Sequence, residues 1–448
     1  MKRIILLLDG TWNDADVGPI DTNIVRLREI IARSLDREST LTAKNLDASA
    51  AGGEKRVAGR TFNDIENLVF YERGVGTGTL HDRLMGGGTG EGLDANVRRA
   101  YKFLSFYYEP GDQVFIFGFS RGAYTARSLV GLIGAAGLLT RDSCSPELEG
   151  RAWTFYRTPP NDRLPAIWSD LTPHVHDRTA FRLHCVGVFD TVGALGVPLR
   201  MFWRQNRQRY EFHNVELSSA SNVNLHAIAI DEAREPFQAS VWRKPKFKSY
   251  ATVTEQVWFA GVHSDIGGGY INEAERPKIA LDDITLDWMI KRVLVHFPDF
   301  PIDPNCWKGI DGNWALAPQH QSRTSYYKLL ANAVRSIGNY EPITRWWHHE
   351  REVCRDRHAQ RIGEMVHLSA LERLGQRVSV NGRNKQYRPA NLVSVLDYIK
   401  SSYGLSGAPP GSGLRIVDWS GEVLDPQNSD ARSTVAAAVT AAEARLNG

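Results

Sequence analysis

Short apolar runs alternating with segments of helical spacing dominate the first 300 residues. Residues 4–8 are five consecutive apolar side chains closed by Asp9-Gly10, the pattern of a strand buried on both faces. Residues 22–35 place Ile24, Val25, Leu27, Ile30 and Ile31 on one helical face, with Asp21 or Thr22 as cap. Residues 67–71 read as a second strand, 93–107 as a helix and 113–117 as a strand after the turn Pro110-Gly111-Asp112. A long small-residue helix follows over 122–139. The rhythm continues with a strand over 183–189, a helix over 223–231, a strand over 256–260 and an amphipathic helix over 281–295. Strands alternating with helices predict an α/β chain with a mainly parallel sheet flanked by helices on both faces. Residues 36–64, polar and rich in Ala, Gly and Thr, read as a surface insertion. The pattern loosens after about residue 300. This divides the chain into a catalytic core over 1–300 and a C-terminal helical cap or cover over 301–448.

Composition narrows the class. The chain has 448 residues, 42% of them hydrophobic, enough to bury a large core. Its 54 basic and 51 acidic residues give a net charge of +3, so no excess of positive charge points to a nucleic acid. The four cysteines, Cys144, Cys185, Cys306 and Cys354, are scattered without a C-x-x-C pair. That argues against a disulfide framework and against a cysteine-bound metal. The apolar run near the N-terminus is shorter than the ~7–15 residues of a signal-peptide core. The expectation is a chain cytoplasmic as made, with export by a route needing no cleavable signal left open.

Gly118-Phe119-Ser120-Arg121-Gly122 fits G-x-S-x-G, a pattern that means little without a strand before it and a helix after it. Both are predicted here. On such a turn the serine hydroxyl projects at the carboxyl end of the sheet, and the flanking glycines avoid collisions where the chain nearly meets itself. A serine needs a base and the base an orienting acid, in the chain order Ser, Asp or Glu, His. His263, in the glycine-flanked loop after the strand over 256–260, is the candidate base, with His226, His348 and His349 as weaker ones. Asp190, ending the strand over 183–189, is the candidate acid, with Asp265 and Asp231 as rivals. The oxyanion donors expected are the N–H of Arg121 and that of Gly10 or Thr11; a plain turn capped by Asp9 is the alternative for the latter pair. The glycine clusters 74–78 and 86–92 lack the Lys-Ser/Thr ending of a phosphate loop and read as rim. No cofactor and no metal are expected.

Several segments together resemble a known family. These are Asp9-Gly10-Thr11-Trp12-Asn13, Gly74-Val75-Gly76-Thr77, the run from Gly118 to Arg127, Phe189-Asp190-Thr191-Val192-Gly193, and the run from Trp258 to Tyr270. Asp231-Glu232-Ala233-Arg234, Leu286-Asp287-Trp288-Met289 and Tyr387-Arg388-Pro389-Ala390-Asn391-Leu392 add further blocks. The set is similar to the type VI secretion lipase-effector-like α/β-hydrolases. The resemblance implies an α/β-hydrolase fold and a Ser120, Asp190, His263 triad. It further implies cleavage of carboxylic esters, with phospholipase A activity in some members, and a secretion or immunity partner. An acyltransferase on the same scaffold and a non-catalytic binding module are the alternatives. Residues 201–204 and 242–248 mix aromatic and basic side chains, a composition suited to peripheral contact with anionic lipid; a solvated face is the simpler reading.

Overall fold

The computed structural model describes residues 1–10, 20–38, 55–74, 91–192, 220–234, 237–243, 252–272, 280–310, 314–323, 332–338, 343–346, 349–352, 361–405 and 413–448. Its centre is a sheet of nine strands. In chain order they are β1 (Lys2–Leu8), β2 (Lys55–Phe62), β3 (Ile65–Glu72), β4 (Gln113–Phe119), β5 (Leu183–Phe189), β6 (Ser221–Ala229), β7 (Val253–Phe259), β8 (Glu364–His367) and β9 (Arg415–Val417). Across the sheet the order is β9-β8-β7-β6-β5-β4-β1-β3-β2. Every pairing is parallel except that of β2 with β3.

The central strands are apolar throughout because both faces are covered. On β1, Ile5 and Leu7 enter one core with α1 (Asn23–Glu38) and the helix Leu281–His296. Ile4, Leu6 and Leu8 enter the other, with α2 (Glu91–Tyr107), α3 (Arg121–Ala136) and α4 (Pro146–Arg157). Phe115, Phe117 and Phe119 on β4 join the first core, and Val114 and Ile116 the second. The period of two thus splits each strand between two cores rather than between core and water.

The path of the chain reverses direction beside β1. It starts at β1, crosses to β2 at the sheet edge, turns back to β3 beside β1, then passes to the other side of β1 at β4. Open α/β sheets bind ligands outside the carboxyl ends of their strands at such a reversal. β1 and β4 end side by side there, with Leu8 paired to Gly118.

Four expectations change. The helix expected over 223–231 is the strand β6. Its apolar run is short enough to suit either period, and pairing with β5 and β7 along both edges decides the matter. Part of the expected insertion over 36–64 is the edge strand β2, which turns back through Asn63 and Asp64 onto β3; residues 39–54 lie outside the described residues. The helix Leu281–His296 is buried along its whole first ten residues instead of showing a solvent face. Its acidic stripe is covered and paired: Arg26 reaches Asp282 and Asp283, and Lys291 sits 2.7 Å from Asp287. Finally, the sheet runs past the boundary expected at residue 300. β8 and β9 extend it, and a third core joins Ile228 and Trp258 to Leu371, Leu392, Ile399 and Val435. These C-terminal residues cover an apolar edge that β7 would otherwise expose.

Candidate active site

Ser120 stands between β4 and α3 at φ 58° and ψ −120°, a conformation few side chains adopt. Such strain persists only where the surroundings over-determine it, and here they do. A Cβ on Gly118 would lie 2.6 Å from the Gly122 carbonyl oxygen, and one on Gly122 would lie 2.1 Å from the Leu8 carbonyl oxygen. Both positions need glycine, and the start of α3 can pack against the end of β1 only because Gly122 has no Cβ. The Ser120 N–H donates to the Phe189 carbonyl at 3.1 Å, tying the turn to the end of β5.

Asp190 follows β5 directly, at φ 40°. Its N–H donates to the Ala227 carbonyl at 2.7 Å, and its Oδ1 accepts the Ala229 N–H at 2.9 Å, so both its backbone and its carboxylate are held by β6. His263 opens a five-residue helix, His263–Gly267, after β7. Its ring packs between Phe119 and Phe237, with centroids 4.8 and 5.2 Å away. Gly267 permits this: a Cβ there would meet the Phe119 ring at 2.0 Å.

The three side chains meet. His263 Nδ1 lies 2.6 Å from Asp190 Oδ2, and His263 Nε2 lies 2.8 Å from Ser120 Oγ. An ionised carboxylate only accepts hydrogen bonds, so the imidazole proton belongs on Nδ1 and the Nε2 lone pair faces the serine hydroxyl. Burial alone would raise the Asp190 carboxyl, but Arg335 and His263 outweigh it and hold the group well below the usual carboxylate range. Burial holds His263 below the ordinary histidine value of 6.5, partly offset by its bond to Asp190. The ring is therefore neutral, and able to accept a proton, at neutral pH.

The rival groups are engaged elsewhere. Asp265 meets His320 Nδ1 at 2.6 Å and accepts the Val262 N–H at 3.0 Å. Asp231 accepts the Gly261 N–H at 2.6 Å and the Tyr387 hydroxyl at 2.9 Å, and burial pushes its carboxyl up to about 6. His226 is fully buried on β6, where its Nε2 accepts the Thr191 N–H at 3.1 Å. His348 lies outside the described residues.

Of the expected oxyanion donors, Arg121 is the first residue of α3, directly after the serine. The Gly10 N–H donates to Asp9 Oδ1 at 2.6 Å, so it is used within its own turn, the alternative role foreseen for that segment. Asp9 also accepts from Thr22 at 2.9 Å and Tyr71 at 2.8 Å, while burial pushes its carboxyl up to about 7. Thr11, the glycines over 75–78 and 86–90, and residues 201–204 and 244–248 lie outside the described residues. Trp242 is buried, with the Arg127 guanidinium 4.9 Å from its ring. It therefore belongs to the core and not to a lipid-facing patch. Among the described residues no cluster of His, Cys, Asp and Glu could hold a metal, and no helix is long and apolar enough to cross a membrane.

The model of the type VI secretion system phospholipase effector Tle1-like catalytic domain matches residues 2–292. The chain belongs to this family. An uncharacterized protein of Saccharomyces cerevisiae is 28% identical over 247 residues, covering 53% of this chain and 32% of its own length. A crystal structure of an uncharacterized Pseudomonas aeruginosa protein aligns with TM-score 0.40 and 17% identity over 68% of this chain and 47% of that one. A Tle1 effector bound to the VgrG spike of the type VI secretion system aligns with TM-score 0.29 and 18% identity over 60% of this chain and 51% of that one. The chain thus spans about a third of the yeast relative's length and about half of each solved chain.

The Tle1-like segment contains Ser120, Asp190 and His263, but two sequence blocks acquire their meaning only in space. Glu232 accepts the His263 N–H at 3.3 Å while pairing with Arg234 at 2.8 Å, so the Asp231–Arg234 block holds the backbone of His263. Arg335, from beyond the matched segment, forms an ion pair with Asp190 at 2.5 Å. Nothing in the sequence around Arg335 signals this. Its one sequence-level trace is the Tyr387–Leu392 block, whose Asn391 side chain donates to the Arg335 carbonyl at 3.1 Å.

Proposed function

We propose that this Tle1-like chain is a serine hydrolase of carboxylic esters, with phospholipids as the substrate class. Ser120 Oγ attacks the ester carbonyl while His263 Nε2 takes the hydroxyl proton. The negative charge that forms on the carbonyl oxygen is met by the Arg121 N–H at the start of α3. Collapse expels the alcohol, which takes the proton from His263 and leaves an acyl group on Ser120. Water then attacks the acyl group with the same base, and the fatty acid leaves as Ser120 is restored. Asp190 holds the Nδ1 proton throughout and stabilises the imidazolium without itself being protonated.

The observation that carries the reading is the continuous hydrogen-bonded chain from Asp190 through His263 to Ser120, within 2.6 and 2.8 Å. The phospholipid class rests on the family alone, and secretion as an effector with a spike-type carrier is the corresponding proposal for its partner.

The test uses the full chain, a short-chain p-nitrophenyl ester, phosphatidylcholine vesicles and a fluorophosphonate label. The wild type is expected to hydrolyse the ester, release fatty acid from the vesicles and take one label. Ser120→Ala is expected to take none and to lose at least about a thousandfold in kcat with an unchanged circular dichroism spectrum. Retained ester hydrolysis by that variant overturns the nucleophile. Hydrolysis of the ester without release of fatty acid overturns the phospholipid class alone.

A further inference from the structure

Arg335 is 1% exposed in its side chain and faces a carboxylate that is 0% exposed. Nη1 donates to Asp190 Oδ1 at 2.5 Å and Nη2 to Oδ2 at 3.0 Å, a two-pronged pair. The same nitrogens donate to the carbonyls of Ala229, at 3.0 Å, and Phe237. The backbone behind it is also fixed. Asn391 Nδ2 bridges the carbonyls of Arg335, at 3.1 Å, and Ile230, at 3.0 Å. Each Asp190 oxygen therefore has two partners: Ala229 N–H and Arg335 on Oδ1, His263 and Arg335 on Oδ2.

A buried charged pair of this kind is poor evidence for stability, because desolvating two ions offsets most of their attraction. Its value here is local. A carboxyl buried without a cation favours the neutral form. A neutral Asp190 would donate a hydrogen bond from its own O–H to the Nδ1 lone pair, which favours the tautomer with N–H on Nε2, pointing at the serine with no base to offer. Arg335 is the largest of the influences that hold Asp190 ionised against its burial. The remaining charged groups beside His263, Glu232 and Arg234, are paired with each other at 2.8 Å. His226, on the strand next to Asp190, is held neutral by burial, and Arg127 acts on it from beyond.

We propose that Arg335 is a positioning residue of this site: its paired bonds to Asp190 fix the carboxylate plane that aims His263 at Ser120, and Asn391 anchors it there. The C-terminal part of the chain, outside the matched catalytic segment, thereby completes the site. This rests on the serine-hydrolase reading above, and Ser120→Ala run in parallel tests that reading separately.

The experiment measures kcat and KM for a short-chain p-nitrophenyl ester across about pH 5–9 in full-length variants. Arg335→Met is expected to lower kcat by about a hundredfold with little change in KM. Its acid limb in kcat/KM should move up by about one pH unit, because the cation opposing protonation of the Asp190–His263 pair is gone. Arg335→Lys keeps the charge without the fork, so it should lose about tenfold in kcat with the limb unmoved. A wild-type kcat in Arg335→Met, or a loss with the limb unmoved, overturns the proposal. Should Arg335→Met fail to fold, Asp190→Asn/Arg335→Met removes both charges together. If Arg335 acts through Asp190, the double variant matches Asp190→Asn within about threefold. A further fall of tenfold or more shows an independent role and overturns it.

Discussion

At the scale of single residues, the site depends on side chains that are absent as much as on those present. Gly122 sits where β1 and the serine turn touch. Gly122→Ala would place a Cβ 2.1 Å from the Leu8 carbonyl oxygen, a backbone atom that cannot swing away. The expected cost exceeds about 3 kcal/mol, read as a shift in the denaturant midpoint, with activity lost in whatever fraction folds. In the proposed mechanism the histidine sets the pH dependence. In that mechanism His263 must be neutral to accept the Ser120 proton, and its folded value lies below the ordinary 6.5. Activity should therefore fall as pH drops through that lowered value and stay level from about 6.5 upward. A kcat/KM profile for a soluble ester checks this; an acid limb centred above 6.5 would contradict the buried environment that lowers His263.

At the scale of elements, pairing decides what local pattern leaves open. The apolar run of β6 suits a helix or a strand, yet it lies between β5 and β7 with its edges bonded on both sides. β2 was hidden by its composition, since Lys55, Arg56 and Arg60 interrupt the apolar run expected of a strand. Its turn is more informative. Asn63 and Asp64 both have positive φ, 50° and 58°, in a two-residue connection between Phe62 and Ile65. That is the pattern of a turn favouring Asn-Gly. Asp64→Gly is expected to raise the unfolding free energy by about 0.5–1 kcal/mol, measured by urea denaturation, with activity unchanged.

At the scale of the whole molecule, the residues after about 300 belong to the same sheet as the site. β8 pairs with β7, and the helices Leu368–Arg373 and Ser429–Asn447 complete the core over Ile228 and Trp258. Arg292 binds both oxygens of Glu255 at 2.8 Å and reaches Glu422 at 2.8 Å, linking the last helix of the matched segment to the C-terminal part. A chain cut at residue 300 would expose the edge of β7 and lose Arg335 as well. It is expected to be insoluble or molten, with weak near-ultraviolet circular dichroism, while the full chain gives a cooperative unfolding transition. A well-folded, active truncation would show that the third core is dispensable.

The sequence by itself determined the alternating βα rhythm, the turn at Ser120, and the chain order of Ser120, Asp190 and His263. These were legible because each is a local event: an apolar run of strand length, then a turn residue at its carboxyl end. Tertiary structure decided what depends on contacts between distant segments. Parallel pairing made β6 a strand, and burial on all sides concealed the polar stripe of the helix Leu281–His296 behind Arg26. Asp9 took the Gly10 N–H into its own turn. Arg335 reached Asp190 across 145 positions of sequence. No periodicity encodes a contact of that span, because the energy that selects it arises only once the carboxylate is buried and its charge must be met.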